Sequence, residues 1–286
     1  MRIGSWNLSN AQIGGAKMEK WKQVFLIFTV LCLVINSVYA QERDSAIVRS
    51  VIHHGLNDAK EFLISPARWE PKEWAIAGGV TAATGALILW GDQPVYNFSN
   101  TLHSKPLDVF FRNAEPLGNY YPIMVISAFM IKGLIDRDNY STETALVAAE
   151  AMIITTVAVQ IVKNTVGRTR PNAEGTTSPH QFNGPFFKGT SFYSGHTTTA
   201  FTVASVFAYR YRDTKWVPVL AYGLATIAGM ERIYDNRHWS SDVLMGAAIG
   251  SASGIFLCRQ WEKKSIKFYP SFTPYGGGIS LVIPIK

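Results

Sequence analysis

Six apolar stretches of helical length dominate the chain: Trp74 to Trp90, Tyr120 to Ile135, Ala145 to Val162, Thr197 to Tyr209, Trp216 to Met230 and Val243 to Cys258. They are longer than ordinary strands, rich in Ala, Leu, Met and Ile, and do not alternate apolar with polar, so they read as helices. The fold class expected is all-α, a compact bundle of about six core helices. Between the third and fourth helices runs a segment rich in Gly, Pro, Thr and Asn, Arg168 to Tyr193. A loop of that length inside a compact domain usually carries function. The tail changes character: KFYPSFTP and ISLVIPIK flank Gly276 to Gly278, which predicts a short C-terminal strand-like hairpin or an extended tail. A single hairpin cannot close a membrane barrel.

Whether such helices cross a bilayer turns on length and charge. Charged residues make up 16% of the chain, fewer than a soluble domain usually carries. Of the six apolar stretches the longest without a charge, Trp74 to Trp90, has 17 residues, and Lys132 and Glu150 interrupt the second and third. Each therefore sits below or at the edge of the roughly 20 residues a span needs. Gly246, Gly250 and Gly254 form a GxxxGxxxG stripe that serves a membrane helix pair or any dense bundle equally.

The N-terminal region reads as an export signal. Lys17, Lys20 and Lys22 precede the apolar run VFLIFTVLCLVI, and Val38-Tyr39-Ala40 precedes the polar QERDS. Cleavage is expected after Ala40, giving a signal over 1–40, with Met18 an alternative start and an uncleaved anchor helix the competing reading. Leu31 stands where a lipoprotein-like signal would need a small residue before Cys32, so lipid modification there is not expected. Removal of the signal leaves Cys258 alone and no intrachain disulfide. Of the total charge of +7, residues 1–40 hold Arg2, Lys17, Lys20 and Lys22 against Glu19, so the remainder carries +4. That excess suits an anionic substrate or a membrane surface. No basic stripe interleaved with aromatics is present, so nucleic acid is not an expected partner.

Three clusters at predicted helix edges bring phosphate-suited groups. In KNTVGRTRP, Lys163 ends the third helix and Arg170-Pro171 follow; taken alone, two cations at a helix end cap carbonyls or lie in solvent. In FYSGHTTTAF, Ser194, Gly195 and His196 precede the fourth helix, whose unpaired N–H groups favour an anion, though a plain cap and turn has the same sequence. In RIYDNRHWSSD, Arg232 and His238 approach the sixth helix, Ser240 or Ser241 is placed to cap it, and Asp242 falls in its first turn. Arg168 and Lys188 lie on or near the loop and read as solvated cations, with a contact to substrate the competing reading, and His180 and the His53-His54 pair read as surface residues.

Together, Lys163-x6-Arg170-Pro171, Ser194-Gly195-His196 and Arg232-x5-His238-x3-Asp242 resemble the three-part signature of the type 2 phosphatidic acid phosphatase and vanadium haloperoxidase superfamily. The resemblance covers roughly residues 70–260. Tyr193 departs from it, since proline commonly precedes the serine; that position shapes the turn rather than the chemistry. The resemblance implies a catalytic domain over 73–262, between a polar segment at 41–72 and a tail at 263–286. It implies a metal-independent and cofactor-independent phosphatase in which His238 attacks phosphorus, Asp242 orients its ring and His196 is the general acid. Lys163, Arg170, Ser194, Gly195 and Arg232 would hold the phosphate.

The expected substrate is a phosphorylated lipid or a small phosphate ester, as monoester or pyrophosphate, in a bacterial cell envelope. A vanadium-dependent haloperoxidase and a non-catalytic envelope protein are the competing readings. If the signal is removed and all six helices cross, the motifs fall in the cytoplasm, which conflicts with the envelope-facing site usual in similar lipid phosphatases. An uncleaved N-terminal segment acting as a seventh span removes the conflict, as does a periplasmic, membrane-associated bundle. The short uncharged runs favour the bundle.

Overall fold

The computed structural model describes residues 45–263 apart from 174, 176–177 and 186–188, and the strands at 267–273 and 276–282. The predicted export signal and Lys188 lie outside the described residues, and the side chains of His53 and His54 are likewise not described.

The helices are α1 (Ser45–Ile64), α2 (Pro71–Ala86), α3 (Asp92–Thr101), α4 (Lys105–Ala114), α5 (Tyr120–Ile135), α6 (Asn139–Val166), α7 (Gly195–Arg210), α8 (Trp216–Tyr234) and α9 (Ser240–Lys263). The six predicted helices correspond to α2 and α5 to α9. Strands β1 (Lys267–Thr273) and β2 (Gly276–Val282) pair antiparallel, Lys267 opposite Val282, as the predicted hairpin. The sequence reading missed α1, α3 and α4, whose polar residues mask their periodicity. α4 is amphipathic and starts with Pro at its second position, where the absent N–H costs nothing.

α2 and α3 form one helix. A π-bulge over Leu87–Gly91 joins them, so the apolar helix continues to Thr101 rather than stopping at Trp90. Pro71–Thr101 (31 residues), Asn139–Val166 (28 residues) and Ser240–Lys263 (24 residues) are each long and apolar enough to cross a membrane. The uncharged runs understated these lengths, because the interrupting charges turn inward to partners. Glu143 pairs with Arg210 at 3.2 Å, and Glu150 accepts from the Trp261 indole. Large apolar side chains, among them Trp90, Ile135, Ile153, Val157, Ile161, Val219 and Leu220, lie exposed on the outer faces. Apolar exposure on that scale marks a membrane-associated chain.

The core lies where α6, α7 and α9 meet: Ala145, Val147, Ala148 and Ala151 against Val203, Val206, Phe207, Leu257 and Cys258. The glycine stripe settles on α7. A Cβ at Gly246 would lie 2.8 Å from the Ser194 carbonyl oxygen, one at Gly250 2.5 Å from that of Thr198, and one at Gly254 2.6 Å from that of Thr202. These are backbone atoms that cannot step aside, so the stripe brings the start of α9 against the start of α7. Gly250→Ala is expected to cost about 1–3 kcal/mol through overpacking, read as a lower unfolding midpoint in detergent.

Candidate active site

α6 sets the first element of the site. Asp138 caps its N-terminus, accepting from the N–H groups of Tyr140 (3.0 Å) and Ser141 (3.3 Å). Gly167 ends it at φ +62°, a left-handed conformation in which its N–H reaches the Lys163 carbonyl at 3.1 Å. A Cβ at Gly167 would also strike the Gly184 carbonyl oxygen at 2.3 Å, so glycine alone lets the functional loop fold back here. Lys163, on the last turn, is buried, and its Nζ is 3.9 Å from where a Gly195 Cβ would stand. The first and second motifs therefore meet at Lys163 and Gly195.

Ser194 is the N-cap of α7. Its Oγ accepts from the Thr197 N–H (3.4 Å) and hydroxyl (2.9 Å), which leaves its own O–H free to donate. Its backbone N–H donates to the Asp242 carbonyl at 3.0 Å and ties the starts of α7 and α9 together.

His238 is buried, at 3% exposure, with Nδ1 3.6 Å from Asp242 Oδ2. That places the carboxylate beside the ring nitrogen at just beyond hydrogen-bond reach and turns Nε2 to the opposite side. Burial, then the charges of Lys163, Arg170, His196 and Arg232, hold the His238 imidazole well below its usual pKa. All three motifs therefore bear on one imidazole. Arg170 is itself lowered to about 10 by burial and by the neighbouring Arg237 and Arg232.

His196, in the first turn of α7, is lowered to about 4, mainly by burial; Glu115 opposes that shift, and Arg232 and Lys163 add to it. Its Nε2 lies 3.4 Å from Glu115 Oε1. Glu115 also lies 3.7 Å from Arg232 Nη2, and Arg232 makes a two-pronged pair with Glu231. The sequence assigns Arg232 to the phosphate, and the structure adds two carboxylate neighbours, Glu115 and Glu231, that aim its guanidinium. Neither Glu115 nor Glu231 was singled out from sequence, although Glu231 stands beside the motif arginine.

Two expectations are corrected. Neither Ser240 nor Ser241 is the N-cap of α9. Asp92, from the start of α3, supplies the capping carboxylate: Oδ1 accepts from the Ser241 N–H (2.8 Å) and the Ser240 hydroxyl (2.6 Å), and Oδ2 accepts from the Ser241 hydroxyl (2.6 Å). Arg168 is not a solvated loop cation. It is fully buried between Asp92 and Asp242, at 2.6 Å from each. A lone acid at the end of the longest apolar run was the available signal for Asp92. His180 is exposed, as expected, but its Nε2 sits 2.7 Å from the Ile88 carbonyl in the π-bulge.

The helical frame gathers three cations and two imidazoles around the functional loop, and three comparisons with known proteins bear on that arrangement. The model of the PAP2 superfamily matches residues 144–266, a segment holding all three motifs. The lipid A 1-phosphatase of Porphyromonas gingivalis is 41% identical over 93 residues, 32% of this chain and 18% of that protein, so the chain spans under a fifth of this relative's length. The transmembrane PAP2-type phosphatidylglycerolphosphate phosphatase of Bacillus subtilis shares the fold, with a TM-score of 0.50 at 18% identity over 66% of this chain and 95% of that one. LpxE of Aquifex aeolicus is 28% identical over 59% of this chain and 94% of that one, with a TM-score of 0.46.

Proposed function

We propose that the chain is a membrane lipid phosphatase that hydrolyses a terminal phosphate through a phosphohistidine. The observation that carries this reading is the convergence of Lys163, Arg170, Arg232 and His196 on the buried, neutral His238, whose Nδ1 faces Asp242. A neutral imidazole attacks only through a nitrogen without a proton, and a carboxylate at Nδ1 favours the tautomer that leaves Nε2 bare. Nε2 attacks phosphorus, the P–O bond to the lipid breaks, and the departing alkoxide takes a proton from His196. His196, now neutral, accepts a proton from water as that water attacks the phosphohistidine, which releases inorganic phosphate and restores His238. Lys163, Arg170 and Arg232, with the Gly195 N–H and the Ser194 hydroxyl, neutralise the phosphoryl oxygens as charge spreads over them.

A lipid substrate is supported by three helices able to cross a membrane, and by relatives named as phosphatases of lipid A and of phosphatidylglycerolphosphate. The cell envelope is the compartment proposed, on the strength of the export-like N-terminal sequence. The deciding experiment is phosphate release by the purified full-length protein from a panel of lipid monoesters, lipid pyrophosphates and soluble monoesters. Release from lipid monoesters, insensitive to a chelator and blocked by vanadate, is the expected result. Halide oxidation that needs added vanadate and peroxide, with no phosphate release from any member of the panel, would overturn it.

A further inference from the structure

We propose that Arg168 is a positioning residue: it fixes the rotation of the Asp242 carboxylate, and through it the tautomer and aim of His238, with Asp92 anchoring its far side. This rests on the phosphohistidine reading above. Arg168 has no capacity left for substrate. It is fully buried, and all five of its N–H donors are engaged: Nε with the Pro179 carbonyl (3.1 Å), Nη1 with Ser241 Oγ (2.7 Å) and Asp242 Oδ1 (2.6 Å), and Nη2 with Asp92 Oδ2 (2.6 Å) and the Pro179 carbonyl (2.9 Å).

The Asp242 carboxylate is correspondingly divided. Oδ1 takes Arg168, while Oδ2 takes the Ser191 hydroxyl and the Trp239 N–H (3.0 Å) and faces His238 Nδ1. With Oδ1 tied by a rigid guanidinium, the carboxylate cannot rotate Oδ2 away from the imidazole. Phe182 and Trp239 close over the guanidinium at 5.2 and 5.6 Å, which keeps water from competing for it.

Asp92 gives this arrangement a rigid origin. It follows the π-bulge directly, so the bulge sets its direction, and it holds Arg168 and the first turn of α9 at once. The loop docks on the same place, because His180 Nε2 lies 2.7 Å from the Ile88 carbonyl inside the bulge. Three segments, the α2–α3 helix, the functional loop and the start of α9, are thus locked behind the nucleophile by one arginine and two carboxylates.

Lysine at position 168 keeps the charge but not the planar fork, so it cannot hold both carboxylates and the Pro179 carbonyl in one geometry. For full-length Arg168→Lys in detergent or nanodiscs, kcat on an ester that the wild type hydrolyses is expected to fall about 10–100-fold, as when outer partners of a reactive group are lost. KM, and the inhibition constant for inorganic phosphate, should stay within about threefold, since the phosphate contacts remain. In 15N spectra of histidine-labelled protein, the His238 signal, assigned by its absence in His238→Gln, should lose Nδ1–H character. Asp92→Asn, which keeps the Arg168–Asp242 pair, should show the same signature at smaller size, and it carries the test if the lysine variant does not fold. An unchanged kcat and tautomer in the folded variant, or a KM and phosphate inhibition constant that rise in step with the loss of kcat, would overturn the inference. A wild type that releases no phosphate from any ester sinks the phosphatase reading instead; the tautomer measurement needs no turnover, so the two failures are distinguishable.

Discussion

His238→Ala is expected to lower phosphate release by about four orders of magnitude or more, the scale on which loss of a nucleophile removes catalysis and leaves only binding. The reason is local. His238 is the buried group on which Lys163, Arg170 and Arg232 act, and its burial disfavours the charged imidazole. Alanine deletes the attacking nitrogen without touching Lys163, Arg170 or Arg232, so inorganic phosphate should still bind with affinity close to wild type. The unfolding midpoint should fall by the cost of the cavity that a buried imidazole leaves, without loss of the fold. The checks are steady-state release, 32P-labelled phosphoenzyme after an acid quench, and calorimetric phosphate binding. Persistence of the labelled phosphoenzyme in the alanine variant would remove His238 as its site.

The contrast between the motif residues and their supports explains what was legible in the sequence. Lys163, Arg170, Ser194, Gly195, His196, Arg232, His238 and Asp242 fall in three short segments, each at a helix edge where residue type and spacing are read locally. Their supports are not local. Asp92 reaches Ser241 across 149 positions and Arg168 across 76, and Glu115 reaches His196 across 81. No short-range pattern encodes such pairings, so Arg168 reads as solvated and Ser240 as a cap until the fold shows Asp92 between them. Helix lengths were understated for a related physical reason. A charge inside an apolar run lowers its hydropathy whether it faces lipid or a partner, and Glu143 and Glu150 both have partners inside the bundle. The glycine stripe was legible as a close-packing device, but its partner, the backbone of α7 at Ser194, Thr198 and Thr202, was not.

Removal of His196 should cost about 10²–10⁴-fold on an alkyl phosphate, the usual worth of a general acid, and much less on p-nitrophenyl phosphate, whose leaving group departs without a proton. The pH profile follows from its position. With the site empty, His196 has a pKa of about 4, so above that pH the free protein lacks the proton the leaving group needs. A phosphate monoester keeps one proton up to its second pKa of about 6. The reactive complex holds one proton between imidazole and phosphate, and kcat/KM counts free protein and free substrate. It should therefore be highest between pH 4 and about 6 and fall tenfold per unit on either side. Burial and the neighbouring cations Lys163, Arg170 and Arg232 likewise hold His238 well below its ordinary value. Glu115, kept ionised by its contact with His196, is the group that raises the pKa of that imidazole. In Glu115→Gln the acid limb should move to lower pH, the alkaline limb set by the substrate should stay where it is, and the plateau should drop about tenfold for each unit lost at His196. A profile of kcat/KM on one ester for the two proteins decides the matter. An alkaline limb that shifts, or a plateau that stays level while the acid limb moves, would separate Glu115 from the proton that His196 delivers.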